Sequence, residues 1–283
     1  MNFEKWQALG NDYVILDART LPFALTPERI RKLCAAHTGI ASDGILLLSE
    51  PDEAGFVANM RIFNPDGSEA ELSGNGAREA ILFLRRHRWT DQNTFSIKTL
   101  AGEIRATISS PTTCTVDMGR ARMSGSEYPS GDADGRGELE AAGRTWKFQH
   151  VQIGNPQCSV EVFGEPELER LDLPGIGHAF ERHELFPNRT NVSWYTVLAP
   201  GRIRARIFER GVGETSASGT GAIGAAVAYV LKGGDSPVTV VLDGGELEVE
   251  VGEDLHINLT GWAVPVIRGT IAEELMEELR ATE

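Results

Sequence analysis

"RIFNPDGSEAELSGNGA", residues 61–77, and "RIFERGVGETSASGTGA", residues 206–222, align without a gap and agree at 8 of 17 positions. Ordinary residue frequencies would give about one match. In each copy a short strand-like run leads through a polar turn to a serine, Ser73 or Ser218, set directly before a glycine-rich helix start. The offset is constant, since 73 + 145 = 218. Two weaker echoes keep nearly the same spacing: "LGNDY" with "IGNPQ", which places Asn155 at 11 + 144, and "SIKTLAGEIRATI" with "VVLDGGELEVEV". One unit therefore occurs twice, and such self-similarity constrains the fold more than local propensity does.

Each unit reads mostly as β-structure. Runs such as "NMRIFN", "CSVEVF", "NVSWYTVL", "RIRARIFE" and "LHINLTG" alternate or are β-branched, and Gly, Asn and Asp turns divide them. The clearest helices are "TPERIRKLCAA", with Thr26 as N-cap and Pro27 at its first position, and two apolar helices that begin at Gly74 and Gly219. The second of these is apolar on nearly every side, the pattern of a helix wrapped by a sheet. The fold class is α/β in the α+β sense: two pseudo-symmetric halves, each a mixed or antiparallel sheet rolled around a central helix. The Ser- and Gly-rich stretch "SGSEYPSGDADGRGEL" reads as the linker or an excursion next to it, with a boundary near Gly119.

Bulk properties narrow the function. The 283 residues carry 27 Lys and Arg against 41 Asp and Glu, a formal charge of −14, which disfavours nucleic acid and anionic membrane as partners. A small-molecule substrate fits better. Cys34, Cys114 and Cys158 are odd in number and follow no ligand spacing, which speaks against a disulfide framework or a zinc site and for a cytoplasmic location. The first residues hold no apolar leader and no run is long enough to span a bilayer, so neither export nor membrane anchoring is expected. Phosphate-loop, HExxH and dinucleotide motifs are absent, so no cofactor and no metal are expected. The six histidines are scattered. Exposed strand edges suit a homodimer.

A helix N-terminus offers about four unpaired N–H groups and a partial positive charge, and glycine there lets a ligand approach the backbone. Two such cradles, facing each other across a cleft between the halves, would hold a carboxylate and present Ser73 and Ser218 to the space between. That arrangement suits removal of a proton from one face of a carbon and return of a proton to the other. Taken singly, a serine before a glycine turn is commonly just an N-cap, and Asn11 and Asn155 could be left-handed turn residues. Duplication is what moves the reading towards function.

"ALGNDYVILD", "FNPDGSEAELSGNGAR", "GNPQCSV", "FPNRTNVSW", "ERGVGETSASGTGA" and "LTGWAVPVIRG" together resemble the motif series of the diaminopimelate epimerase family, in the same order and over nearly the whole chain. The resemblance implies a pyridoxal-independent inversion of LL- to meso-diaminopimelate, a step towards lysine and peptidoglycan precursors. It implies halves of residues 1–118 plus 267–283 and of 119–266, the C-terminal segment returning to the first. It also implies that Asn11, Asn64, Gly74, Asn75, Asn155 and Asn191 hold the substrate's polar groups. Glu209 and Arg210 match a pair at the distal amino and carboxylate end, and Gly219 and Thr220 complete the second cradle. The family carries cysteine where this chain has Ser73 and Ser218, and often another cysteine where it has Glu79. Two isolated replacements would account for the serines alone; the altered flanks favour a serine lineage.

A thiolate is accessible near neutral pH, whereas a hydroxyl needs a partner base. Three functions therefore stay open on the sequence: diaminopimelate epimerase, a related racemase or isomerase acting on another amino acid, and a non-catalytic amino-acid-binding protein.

Overall fold

The computed structural model describes residues 1–282, and the chain divides into two compact units, Met1–Val116 with the segment from Gly261 onward, and Asp117–Thr260. In the first unit the elements are β1 (Asn2–Ala8), β2 (Asn11–Asp17), α1 (Pro27–Cys34), β3 (Ile45–Ser49), β4 (Phe56–Phe63), β5 (Glu69–Ala70), α2 (Gly74–Arg86), β6 (Thr94–Thr99) and β7 (Gly102–Ser110). The chain leaves this unit inside β8 (Thr113–Arg120). The second unit holds β9 (Arg136–Ala141), β10 (Arg144–Ile153), β11 (Asn155–Glu161), α3 (Glu165–Glu169), α4 (Leu173–Glu181), β12 (Asn191–Ala199), β13 (Arg202–Glu209), β14 (Gly213–Thr215), α5 (Gly219–Val230), β15 (Val238–Leu242) and β16 (Gly245–Val251). It ends inside β17 (His256–Trp262), and β18 (Val264–Thr270) and α6 (Glu273–Ala281) belong to the first unit again.

Pairing repeats strand by strand. In the first unit β1–β2 is antiparallel, β2–β3 parallel, β3–β4 and β4–β5 antiparallel, β4–β6 parallel and β6–β7 antiparallel. The second unit gives the same series for β10–β11, β11–β12, β12–β13, β13–β14, β13–β15 and β15–β16. At the outer edge β18 pairs antiparallel with β1, as β9 does with β10.

Period-two patterning dictates these strands. In β16, Leu247, Val249 and Val251 point inward while Glu246, Glu248 and Glu250 face water. α1 begins as its sequence demands, with the Thr26 hydroxyl accepting from the Arg29 N–H and Pro27 in the first turn. α5 touches β10, β11, β12, β13, β15 and β16 and buries every residue from Gly221 to Tyr229. Each fully buried aliphatic side chain on such a helix contributes about 1.5–3 kcal/mol. α2 likewise lies against β1, β2, β3 and β7. On the other face of the first sheet Ile30 and Leu33 of α1 share a core with Val14, Ile45, Met276 and Leu279, and the Arg29 Nε donates to the Leu279 carbonyl at 2.8 Å, tying α6 to α1.

The Ser- and Gly-rich stretch is not slack chain. Tyr128 within it is 5% exposed and packs edge-on against Phe148 in the core of the second unit, and β9 begins at Arg136.

Candidate active site

The helix that follows Ser73 starts where it does because Ser73 leaves the helical conformation, at φ −137°, and its Oγ accepts from the Gly76 N–H at 3.0 Å. The Ser73 carbonyl takes the Ala77 N–H at 2.8 Å. Ser218 does the same at φ −142°, its Oγ accepting from Gly221 at 3.3 Å and its carbonyl from Ala222 at 3.0 Å. The N–H groups of Gly74 and Asn75, and those of Gly219 and Thr220, are thereby left outside each helix ladder, as an anion cradle requires. Both serines are N-caps, so the structural role is real. Their remaining partners differ.

The Ser73 Oγ also accepts a hydrogen bond from the Tyr13 hydroxyl at 3.2 Å. A hydroxyl has two lone pairs and one proton. With both lone pairs engaged by Gly76 and Tyr13, what Ser73 retains is its proton. Ser218, 4% exposed, has the buried carboxyl of Glu209 as its neighbour instead. Burial lifts that carboxyl above the usual carboxylate range and the Ser218 hydroxyl partly opposes the shift. The Ser218 proton is thus directed towards a carboxyl, and one lone pair of its oxygen stays open.

Around the first serine, Asn75 is buried and its Nδ2 donates to the Asn11 Oδ1 at 3.2 Å, while the Asn11 Nδ2 donates to the Asp43 Oδ2 at 2.9 Å. Asn11 and Asn155 are the first residues of β2 and β11, and neither has a positive φ; Gly10 (φ +86°) and Gly154 (φ +73°) make the turns. The turn-residue reading of the two asparagines is therefore excluded. Asn64 follows β4 and uses its Nδ2 on the Ser68 Oγ at 2.9 Å. Asp12, the next residue in "GND", serves the same corner, pairing with Lys5 at 2.7 Å and accepting the Asp43 N–H at 3.0 Å.

In the second unit the Asn191 Oδ1 accepts the Arg210 N–H at 2.8 Å, and the Arg210 Nη1 donates to the Asn188 carbonyl at 2.9 Å. The Asn155 Oδ1 accepts from Gln157 at 2.6 Å. The turn after Glu209 is also pinned by Glu181, a carboxylate with no exposed side-chain surface that accepts the Gly211 N–H at 2.9 Å and the His178 Nδ1 at 2.8 Å. Burial would raise the Glu181 carboxyl, but His178, the Gly211 N–H and Arg182 hold it below its usual range. The structure thus gathers Ser73, Gly74, Asn75 and Asn11 at one helix start, and Ser218, Gly219, Thr220 and Glu209 at the other, with Arg210 on the turn after Glu209 and Asn191, at the start of β12, accepting its N–H.

Sequence reasoning missed Tyr13, Asp43, Arg78 and Glu181 as parts of these two clusters. Arg78 was legible in principle, since it stands three residues after Asn75 on one helix face and donates to the Asn75 Oδ1 at 2.5 Å. Asp43 and Glu181 carry no local signal.

No cysteine replaces the missing thiols. Cys34, Cys114 and Cys158 are free and buried, and burial raises all three thiols, that of Cys114 to about 12. Among the described residues, no group of His, Cys, Asp or Glu is arranged to hold a metal ion, and no helix is long and apolar enough to cross a membrane.

The family model described as diaminopimelate epimerase matches residues 3–124 and 150–266. A protein named diaminopimelate epimerase from Synechococcus sp. (strain JA-3-3Ab) is 42% identical over 282 residues, covering 96% of this chain and 99% of its own. One of the same name from Desulfitobacterium hafniense is 37% identical, covering 98% and 100%. Among solved structures, a hydroxyproline epimerase from Agrobacterium vitis superposes with a TM-score of 0.66 at 15% identity, covering 95% of this chain and 91% of that one, a likeness of fold alone.

Proposed function

This chain belongs to the diaminopimelate epimerase family, and from that premise we propose that it inverts the α-carbon of LL-diaminopimelate to the meso form with Ser73 and Ser218 as the proton carriers. As a member of that family it is an isomerase. The observation that carries the assignment of roles is the difference in second partner, the Tyr13 hydroxyl donating to Ser73 and the Glu209 carboxyl lying beside Ser218.

In the direction set by the resting arrangement, the Ser218 oxygen takes the α-proton while its own proton passes to the Glu209 carboxylate, the partner base that an isolated hydroxyl lacks. The Ser73 hydroxyl gives its proton to the opposite face of the carbanion and is resupplied by the Tyr13 phenol. Glu209 ends protonated and Tyr13 ionised; exchange with solvent resets both. The helix starts at Gly74 and Gly219, with Asn75 and Thr220, hold carboxylate charge through backbone N–H groups. Asn11, Asn64, Asn155 and Asn191 bind the remaining polar atoms. Arg210 reads the distal carboxylate with its planar fork.

The protein works in the cytoplasm as a homodimer acting on a small amino acid, with neither nucleic acid nor membrane as partner. Its free cysteines and charge of −14 support the first and last of these readings. β18 supports the dimer, since it pairs with β1 and exposes Val266 and Ile267 at 52% and 48%.

A chirally resolved assay of LL-diaminopimelate, run without added cofactor, tests the function. Accumulation of the meso form supports it. No conversion of LL-diaminopimelate alongside racemisation of another amino acid would move the chain to the second reading left open by its sequence.

A further inference from the structure

A chain of four side chains runs from the buried guanidinium of Arg78 to the carboxylate of Asp43. Arg78 Nη2 donates to the Asn75 Oδ1 at 2.5 Å, Asn75 Nδ2 to the Asn11 Oδ1 at 3.2 Å, and Asn11 Nδ2 to the Asp43 Oδ2 at 2.9 Å. Arg78 is fully buried, and Asn75 is 6% exposed.

The two ends decide the sense of the whole chain. A guanidinium only donates and a carboxylate only accepts, while an asparagine amide does either according to which way it is turned. Asn75 must therefore show its oxygen to Arg78, which turns its NH2 towards Asn11. Asn11 must in turn offer its oxygen to Asn75 and its NH2 to Asp43. Reversing Asn11 would set two NH2 groups against each other and an amide oxygen against a carboxylate. Asp43 is itself held, since the same Oδ2 accepts the Asp12 N–H at 3.0 Å and its own N–H reaches Asp12, whose carboxylate Lys5 neutralises at 2.7 Å.

We propose that Arg78 and Asp43 are positioning residues that lock the amides of Asn75 and Asn11 into one orientation, so that the second N–H of each is a fixed donor for a substrate carboxylate or other acceptor at the start of α2. The inference rests on the reading of Asn11 and Asn75 as substrate-binding residues. Its physical content is separate: a donor that cannot flip costs the ligand no reorientation on binding. Replacing Asp43 with asparagine keeps shape and hydrogen-bonding capacity but removes the acceptor-only end, and Asn11 is then free to turn.

The test measures binding of LL-diaminopimelate by titration calorimetry for the parent, Asn11→Ala and Asp43→Asn, together with the side-chain amide resonances of Asn11 and Asn75 in 15N NMR. For Asp43→Asn we expect binding weaker by about tenfold, the scale of one lost aimed hydrogen bond. We also expect a cooperative thermal transition close to the parent's and an Asn11 amide pair that broadens or doubles, which a merely structural role would not produce. The double variant Asn11→Asp, Asp43→Asn restores the charge and an acceptor for Asn75 while reversing the bond between residues 11 and 43; its thermal transition is expected to stay close to the parent's while binding is not recovered, because residue 11 then has no N–H to give. If Asn11→Ala weakens binding while Asp43→Asn binds as the parent and keeps a single sharp Asn11 amide pair, the positioning role is overturned and the substrate reading stands. If Asn11→Ala binds as the parent, the substrate reading of this cluster fails and the proposal falls with it.

Discussion

Ser73 and Ser218 occupy the same step of the repeated unit, cap equivalent helices and accept from the same helical position, yet their hydroxyls have different second partners. Ser73 accepts twice and is left with a proton to give; Ser218 has the Glu209 carboxyl beside it and is left with a lone pair. Duplication conserved the device, and the neighbours gave it direction. Glu209 aligns with Asn64 (209 − 145 = 64) and Tyr13 with Gln157 (13 + 144 = 157), so each serine's second partner is a residue that the other copy lacks. The helices diverged similarly. Arg78 and Glu79 of α2 align with Ile223 and Gly224 of α5, setting two fully buried ionisable side chains against an apolar residue and a glycine.

The largest effect should come from removing the asymmetry itself. Glu209→Gln deprives Ser218 of its base, and we expect kcat for LL-diaminopimelate to fall by about 10²–10³-fold with KM changed far less. Were Glu209 only an anchor for a distal ammonium, KM would rise and kcat would hold, so steady-state kinetics separate the two. Because burial raises this carboxyl, the acid limb of the parent's kcat profile should lie above the usual carboxylate range and disappear in the variant.

A smaller effect is expected at the helix cores. Gly224 lies where a Cβ would come within 2.9 Å of the Gln157 Cβ and 3.0 Å of the Ser159 Oγ. Gly224→Ala should therefore destabilise the protein by about 1–3 kcal/mol through overpacking, read as a lowered urea midpoint. An unchanged midpoint would mean that β11 yields to the extra methyl.

At the aligned position the sign reverses. Glu79 is fully buried, neither of its oxygens has a hydrogen-bond partner at normal length, and burial raises its carboxyl well above the usual range despite Arg78. A raised folded-state value means that the protonated form fits the fold; its contribution is complete below the unfolded value near 4.5 and is lost as pH climbs through the folded one. Glu79→Gln should match the parent near pH 4.5 and exceed its Tm by about 2–4 °C at pH 8. Equal melting at both would place a compensating partner beside the carboxylate.

The repeat, the two helix starts and the serines were legible because they are local: a strand, a turn and a cap lie within 17 residues. The setting of each serine was not, since Tyr13 reaches Ser73 across 60 residues and Asp43 meets Asn11 and Asp12 across 32 and 31. The pairings β2–β3 and β1–β2 that bring them together are properties of the sheet rather than of any segment. Glu209 is close to Ser218 in sequence, but the family resemblance implied only a distal role for it, and no local pattern signals that its buried carboxyl lies beside the serine. The helices α3, α4 and α6 went unread as well. They are short, and α3 and α4 open on Glu-Pro and Leu-Pro pairs that read as breaks although proline suits a first helical turn.

The most direct test of the account is incubation of LL-diaminopimelate with the protein in D2O, followed by chiral separation and mass analysis, for the parent, Ser73→Ala and Ser218→Ala. The account predicts meso product from the parent carrying one solvent deuteron at the inverted carbon, and loss of that product by about 10²-fold or more in either variant. A parent that binds LL-diaminopimelate yet neither inverts it nor exchanges its α-proton would contradict the account and leave a binding protein in the place of an epimerase.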